Sequence, residues 1–267
     1  MISNILFIIY LSFMSCSIPM SIGIKYGYES SKLVWADSVM LVATRETQNA
    51  CSVTDGVETC VPIGSVYGSG TAFVIDTVGE NTVFMTAAHL CSRRSVNEDQ
   101  YPTSSGETGL TEKITYEFGI IMGENIALVN NVLFYDEVDD ICVFAIPALV
   151  GKQPLKMAKN VPNYGDDVWT IGAPVGYFTN TAKPITRGSY SGDSYRIVLG
   201  FNVSYSNYTM PTVGGMSGSP IVDHRGRVIG LVSAVHSEWH LLSFSPTLEQ
   251  ITAAKESAIL KLSSQNP

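Results

Sequence analysis

Short runs in which apolar residues alternate with polar ones, or stand in unbroken groups of four to six, recur along the chain, with Gly, Asn, Asp or Pro every ten or so residues between them. Thr71-Ala72-Phe73-Val74-Ile75, Val83-Phe84-Met85-Thr86, Ile141-Cys142-Val143-Phe144-Ala145-Ile146, Asp167-Val168-Trp169-Thr170-Ile171 and Val228-Ile229-Gly230-Leu231-Val232-Ser233 are the clearest. Runs of this length with a two-residue period and turn residues between them predict strands, and their spacing predicts an all-β barrel or sandwich. Helical periodicity is confined to the C-terminus, where Leu248, Ile251, Ile259 and Leu262 fall roughly on one face. Thr247 and Gln250 are spaced as a capping box ahead of it. Between Pro147 and Pro162 the strand pattern lapses at Gly151-Lys152-Gln153-Pro154, which suggests a seam between two halves.

The N-terminus departs from this pattern. Ile5 to Met14 is an apolar stretch, and Ser15 and Ser17 stand at the −3 and −1 spacing of a small-residue cleavage site. It is shorter than the ~20 residues of a comfortable bilayer span. We expect residues 1–17 to be a signal peptide, and the protein to be secreted or extracytoplasmic, with an uncleaved signal anchor as the alternative. No stable membrane association is expected unless that segment is retained.

Export changes the reading of the cysteines. Cys51 to Cys60 is symmetric about Asp55-Gly56, a dipeptide that favours a two-residue type I′ hairpin turn. Pairing outward sets Thr54 opposite Val57, Val53 opposite Glu58, Ser52 opposite Thr59 and Cys51 opposite Cys60. The cysteines then occupy a non-hydrogen-bonded site, where Cα atoms are closest and within disulfide range. A Cys51–Cys60 disulfide is expected. Cys91 and Cys142 are open at this level, either bridged or two buried thiols.

Composition narrows the function. Charged residues are only 15% of the 267 and hydrophobic residues 45%, which excludes a disordered chain. The net charge of −8 gives nothing to gain from counterion release, so nucleic acid is not an expected partner. No Cys/His cluster has metal-ligand spacing, and neither metal nor cofactor is expected.

Three segments carry chemistry: Thr86-Ala87-Ala88-His89, Asp139-Asp140-Ile141-Cys142-Val143, and Gly215-Met216-Ser217-Gly218-Ser219-Pro220. In this order they resemble the triad motifs of chymotrypsin-like serine proteases, of bacterial, viral or HtrA-like type. Gly68-Ser69-Gly70-Thr71-Ala72-Phe73 is similar to the strand before the histidine in that family. Gly165 to Gly172, followed by Pro174 and Gly176, is similar to the opening of its second barrel. The second glycine of the usual nucleophile loop is replaced by Ser219.

The resemblance implies two six-stranded antiparallel β-barrels with a cleft between them, followed by a C-terminal helix. The expected units are 18–150, carrying His89 and Asp140, then 151–246, carrying Ser217, then 247–267. It implies a serine endopeptidase in which His89 is the base, Asp140 orients it, and Ser217 attacks. Asp139 is the competing carboxylate; Asp140 is preferred because it directly precedes an apolar strand. The backbone N–H groups of Gly215 and Ser217 would form the oxyanion hole. Thr212 and Ser233 would contact a protein or peptide substrate, Ser233 through strand addition by its backbone.

Specificity is less legible. Thr212 to Gly218 fits the Thr-x-x-Gly-x-Ser-Gly pattern of sobemovirus-like proteases, which favour acidic P1 residues. Val232 stands where glutamate- or glutamine-selective relatives carry histidine, and Pro211 where trypsin-like enzymes carry aspartate. A small or medium apolar P1 is the residual expectation. The rival function is a catalytically silent homologue serving as a secreted binding module or surface glycoprotein. Asn202-Val203-Ser204 and Asn207-Tyr208-Thr209 are its candidate glycan acceptors.

Overall fold

The computed structural model describes residues 34–54, 56–92, 110–147, 149, 152–179, 182–198 and 200–265. The expected signal segment, residues 1–17, and the turn and seam residues Asp55 and Gly151 lie outside the described residues.

The chain forms two antiparallel sheets of seven strands each, and a terminal helix. The first contains β1 (Val39–Thr54), β2 (Val57–Val78), β3 (Asn81–Thr86), β4 (Leu110–Met122), β5 (Asn125–Leu128), β6 (Asn131–Asp136) and β7 (Ile141–Pro147). Its order is β5-β4-β1-β2-β3-β7-β6. The second contains β8 (Asp167–Ile171), β9 (Ile185–Val198), β10 (Phe201–Thr209), β11 (Pro220–Val222), β12 (Val228–Leu231), β13 (Ala234–Val235) and β14 (Leu242–Pro246), in the order β12-β11-β8-β9-β10-β14-β13. This is the all-β, chymotrypsin-like two-barrel class. Each sheet gains a short strand over the expected six: β5 spans four residues and β13 two.

The unbroken apolar runs have a physical cause. In β7, Cys142, Phe144 and Ile146 enter one buried cluster, while Ile141, Val143 and Ala145 enter another. β2 and β3 divide in the same way, with Ala72, Val74 and Phe84 on one face and Phe73, Ile75, Val83 and Met85 on the other. A strand buried on both faces needs apolar residues at every position, so its two-residue period disappears. The first cluster fills the interior of the first sheet, where Phe84 stacks on Phe144 and Phe118 meets Phe144 edge-on, centroids 5.4 Å apart in both pairs. The second is shared with Val168, Ile171, Ile221 and Leu231 of the second sheet and with Leu248, Ile251 and Leu262. One core therefore holds both sheets and the helix.

The helix, α1 (Leu248–Gln265), starts as the sequence predicts. The Thr247 N–H donates to Gln250 Oε1 at 2.7 Å, and the Gln250 N–H to Thr247 Oγ1 at 3.3 Å. The buried face is Leu248, Ile251, Ala254, Ala258 and Leu262, with Ile259 at its margin. Thr247→Ala is expected to cost about 1 kcal/mol, read as a small drop in the thermal midpoint with activity retained.

The segment between β7 and β8 is bonded to both sheets. The Leu155 N–H donates to Val74 O at 2.9 Å, and Ala158 and Lys156 exchange backbone bonds of 2.8 Å with Val228.

Candidate active site

β3 delivers His89. After Thr86 the chain leaves the sheet at Ala87 and enters a short 3-10 turn, Ala88–Leu90. Ala87, Ala88 and Leu90 are buried, which turns the intervening His89 outward, its side chain 29% exposed.

Asp140 comes from the turn between β6 and β7. Asp136 Oδ1 accepts the N–H groups of Val138 (2.8 Å) and Asp139 (3.0 Å), which closes the turn. Asp140 then takes φ 56°, left-handed for a non-glycine residue. Such a conformation costs on the order of 1–3 kcal/mol and persists where the surroundings over-determine it. Here they do: the Ala88 N–H donates to Asp140 O at 3.1 Å, and the His89 N–H to Asp140 Oδ1 at 3.0 Å.

The His89 ring completes the pair. Nδ1 lies 3.0 Å from both Oδ1 and Oδ2 of Asp140. The Ser233 hydroxyl donates to Oδ2 at 2.5 Å. An ionised carboxylate only accepts, so Nδ1 is the donor in this pair, and in the neutral imidazole the lone pair then falls on Nε2. Asp140 is only 4% exposed and is fully hydrogen-bonded, as a buried charge requires.

Asp139, the competing carboxylate, faces elsewhere and accepts from Gln250 Nε2 at 2.7 Å. Burial and the neighbouring Asp136 hold its carboxyl above the usual carboxylate range, against the opposing hydrogen bond from Gln250. A raised folded-state value means that ionisation opposes folding. Stability is lost as pH rises from the ordinary carboxylate value through the raised one, and is regained on acidification. Asp139→Asn keeps the acceptor for Gln250. It is expected to leave turnover nearly unchanged and to shift stability by less than about 1 kcal/mol, upward at neutral pH and not at pH 3, as urea melts at the two pH values would read.

Ser217 lies on a loop shaped by two left-handed glycines, Gly215 at φ 89° and Gly218 at φ 79°. A Cβ on Gly218 would overlap Thr71 O and Thr86 Oγ1, and one on Gly215 would overlap Ala173 O. Only glycine fits either place. The loop is docked on the approach to His89. The Thr71 N–H donates to Ser217 O at 2.8 Å, the Thr71 hydroxyl to Gly215 O at 3.1 Å, and the Gly218 N–H to Val232 O at 2.7 Å. Met216 is buried in the shared core and fixes the loop by packing. Ser219 is accommodated because its neighbour is Gly172, where a Cβ would overlap Ser219 Oγ.

The N–H groups of Gly215 and Ser217 donate to no acceptor among the described residues. Nor does Ser217 Oγ bond His89 there. Thr71 escaped the sequence reading, although the Gly-Ser-Gly-Thr strand that carries it was the place to look.

Thr212 and Ser233 also fall around this loop. The Thr212 N–H donates to His240 O at 3.1 Å, and its buried hydroxyl lies 2.6 Å from Ser243 Oγ. Ser243 donates to Met210 O at 3.2 Å, so the Thr212 proton faces Ser243 and the pair is polar but neutral. The Ser233 hydroxyl bonds Asp140, a contact that the sequence did not indicate. β13, just after it, pairs only with β14 among the described residues. His224, His236 and His240 make local bonds and do not join His89.

Both cysteine pairs are bridged. Cys51 and Cys60 pair in the expected register, Cα atoms 4.0 Å apart, and Cys91 is joined to Cys142. Two disulfides fit an extracytoplasmic, oxidising compartment. Among the described residues no helix is long and apolar enough to cross a membrane.

Residues 70–231 match the family model of the trypsin-like peptidase domain. The chain belongs to that family, whose members are serine endopeptidases. No curated protein sequence matches it. Among solved structures, the active form of the Rv3671c protease from M. tuberculosis is similar at 19% identity and TM-score 0.57, over 86% of this chain and 85% of that one. The HtrA-type protease AlgW, solved with a decapeptide, is similar at 16% identity and TM-score 0.59, over 87% of this chain and 67% of that one. At these identities the likeness is one of fold.

Proposed function

We propose that the protein hydrolyses peptide bonds through His89, Asp140 and Ser217 by way of an acyl-enzyme. The observation that carries this reading is the His89–Asp140 pair, in which a buried, fully bonded carboxylate leaves His89 Nε2 as the free base. Ser217 Oγ attacks the peptide carbonyl while Nε2 takes its proton, and Asp140 stabilises the imidazolium formed. The oxyanion is received by the free N–H groups of Gly215 and Ser217; one such donor is typically worth roughly 3–4 kcal/mol. His89 returns the proton to the leaving amine. Water, deprotonated by the same nitrogen, then cleaves the ester and regenerates Ser217. The acyl side of the substrate adds as a strand along Ser233 and β13, and the uncharged Thr212–Ser243 pair favours a P1 side chain without charge. Export from the cytoplasm behind a removed leader accords with both disulfides.

A fluorophosphonate probe tests the reading. It should label wild-type protein at Ser217, and His89→Ala should abolish labelling. An unlabelled Ser217 in folded protein would favour the silent binding module instead. Digestion of a peptide library by the same protein reads P1.

A further inference from the structure

β2 is far longer than the cleft requires. β3 pairs with it only over Phe73–Val78, so from Val57 to Ser69 its outer edge has no partner among the described residues. This open edge is about 40 Å long at ~3.3 Å per residue. Long open edges invite pairing, and proteins normally blunt them with charges or cover them. This one carries a single charge, Glu58, which is already paired with Lys113 at 2.5 Å. Its apolar side chains stand in solvent instead: Val57, Val61, Ile63, Val66 and Tyr67 are 58–73% exposed.

The register sorts these residues. Ser65 and Tyr67 share a face with Thr47 and Arg45, as the Thr47–Ser65 hydroxyl contact of 3.1 Å shows. A bulge at Gln48/Asn49 offsets the pairing, so Val66, Val61 and Val57 line the opposite face, across from Glu46, Ala50 and Thr54. The edge also leads directly to the nucleophile. Just beyond it the Thr71 N–H holds Ser217 O, and on the loop's other side Gly218 bonds Val232, next to Ser233 and β13. Ser217 thus sits between two open strand edges, β13 and β2.

We propose that the free edge of β2, from Ser69 back to Val57, binds the primed-side chain of protein substrates as an added antiparallel strand. The favoured substrate is an extended, uncharged segment with β-branched or aromatic residues at alternate positions, set against Val66, Val61 and Val57. The inference rests on the serine-protease reading, and continuity with that site selects the occupant. A second copy fits less well. Two-fold pairing of this edge would centre on Ile63 and put Pro62, which has no N–H, beside the middle of the ladder twice. A substrate leaving Ser217 first meets Tyr67 to Ile63, which is free of proline.

The test compares peptides with one acyl side and three primed sides: two residues only, an extension of about ten residues alternating Val and Thr, or one alternating Gly and Ser. The Val/Thr extension should raise kcat/KM tenfold or more over the other two. V57K/V61K/V66K should remove that gain and leave the two-residue peptide's rate unchanged; if lysines disturb the arm, the triple alanine variant replaces them. Equal rates for the extensions, or a gain surviving in both variants, would overturn the proposal.

Binding separates this from failure of catalysis. A fluorescein-labelled Val/Thr peptide titrated into the Ser217→Ala protein should bind, and the triple variant should not. Binding without turnover in wild type would overturn the protease reading and keep the arm as a strand-binding surface, whereas no binding would overturn the arm. Sedimentation showing a wild-type dimer that the triple variant dissociates, with rates unaffected, would assign the edge to a second copy.

Discussion

Replacing Ser217 by alanine is expected to lower kcat by roughly 10⁵–10⁶-fold, with the folded state unchanged. The loop does not depend on the hydroxyl: its anchors are the Ser217 carbonyl, Gly215, Gly218 and the buried Met216. Residual activity roughly 10³–10⁴ above water should persist, because oxyanion donors and substrate contacts survive. Asp140→Asn should cost about 10⁴. His89 Nδ1, the His89 N–H and Ser233 Oγ all donate to this carboxylate. An amide would turn a donor toward one of them, and the ring would lose the tautomer that frees Nε2. The sharper comparison is with Asp139→Asn, which removes a carboxylate one residue away and touches none of these bonds. Turnover of a quenched fluorescent peptide by the three proteins checks the set. A Ser217→Ala protein retaining more than about 1% of wild-type kcat would refute the nucleophile, since triad losses are orders of magnitude larger. A greater loss in Asp139→Asn than in Asp140→Asn would move the carboxylate.

What the sequence revealed divides by distance along the chain. The Cys51–Cys60 register follows from ten residues symmetric about a turn, and the helix start from Thr247 and Gln250, three apart. Both are local, and local spacing is legible. The three motifs that carry His89, Asp140 and Ser217 are legible in the sequence, although the long-range bonds around them are not. Ser233 reaches Asp140 across 93 positions, and Thr71 reaches Gly215 across 144. Gln250 reads as a cap, but its amide nitrogen is used on Asp139, 111 positions away. No periodicity encodes such pairs. The length of β2 was hidden for another reason. Pro62, Gly64, Gly68 and Gly70 read as breakers, and an edge strand tolerates them because one side of its backbone needs no partner. The partnership of Cys91 and Cys142 required knowing that β3 and β7 are neighbours, a fact of sheet order.

Removing the Cys91–Cys142 bridge should be strongly destabilising. The two cysteines stand 51 positions apart, and by chain entropy a loop of that size is worth about 4 kcal/mol. Cys91 ends the turn that carries His89, Cys142 lies two residues beyond Asp140 and pairs with Thr86, and both are buried in the interior of the first sheet. The double alanine variant should therefore melt roughly 8–16 °C lower. Below its transition it should keep much of its turnover, because the Ala88 and His89 N–H bonds to Asp140 do not pass through the sulfurs. The Cys51–Cys60 bridge differs on each count. Its cysteines are nine apart, worth about 2.7 kcal/mol on the same scale, and it closes the far end of the β1–β2 arm. Cys60 is exposed although Cys51 is buried, whereas Cys91 and Cys142 are both buried, at 8% and 0% exposed. Graded reductant followed by alkylation and peptide mapping should open Cys51–Cys60 first, with short-peptide turnover intact, and Cys91–Cys142 only as the protein unfolds. Alkylation of Cys91 and Cys142 before Cys51 and Cys60 in folded, active protein would show that the buried bridge is not what ties the His89 turn to the Asp140 strand.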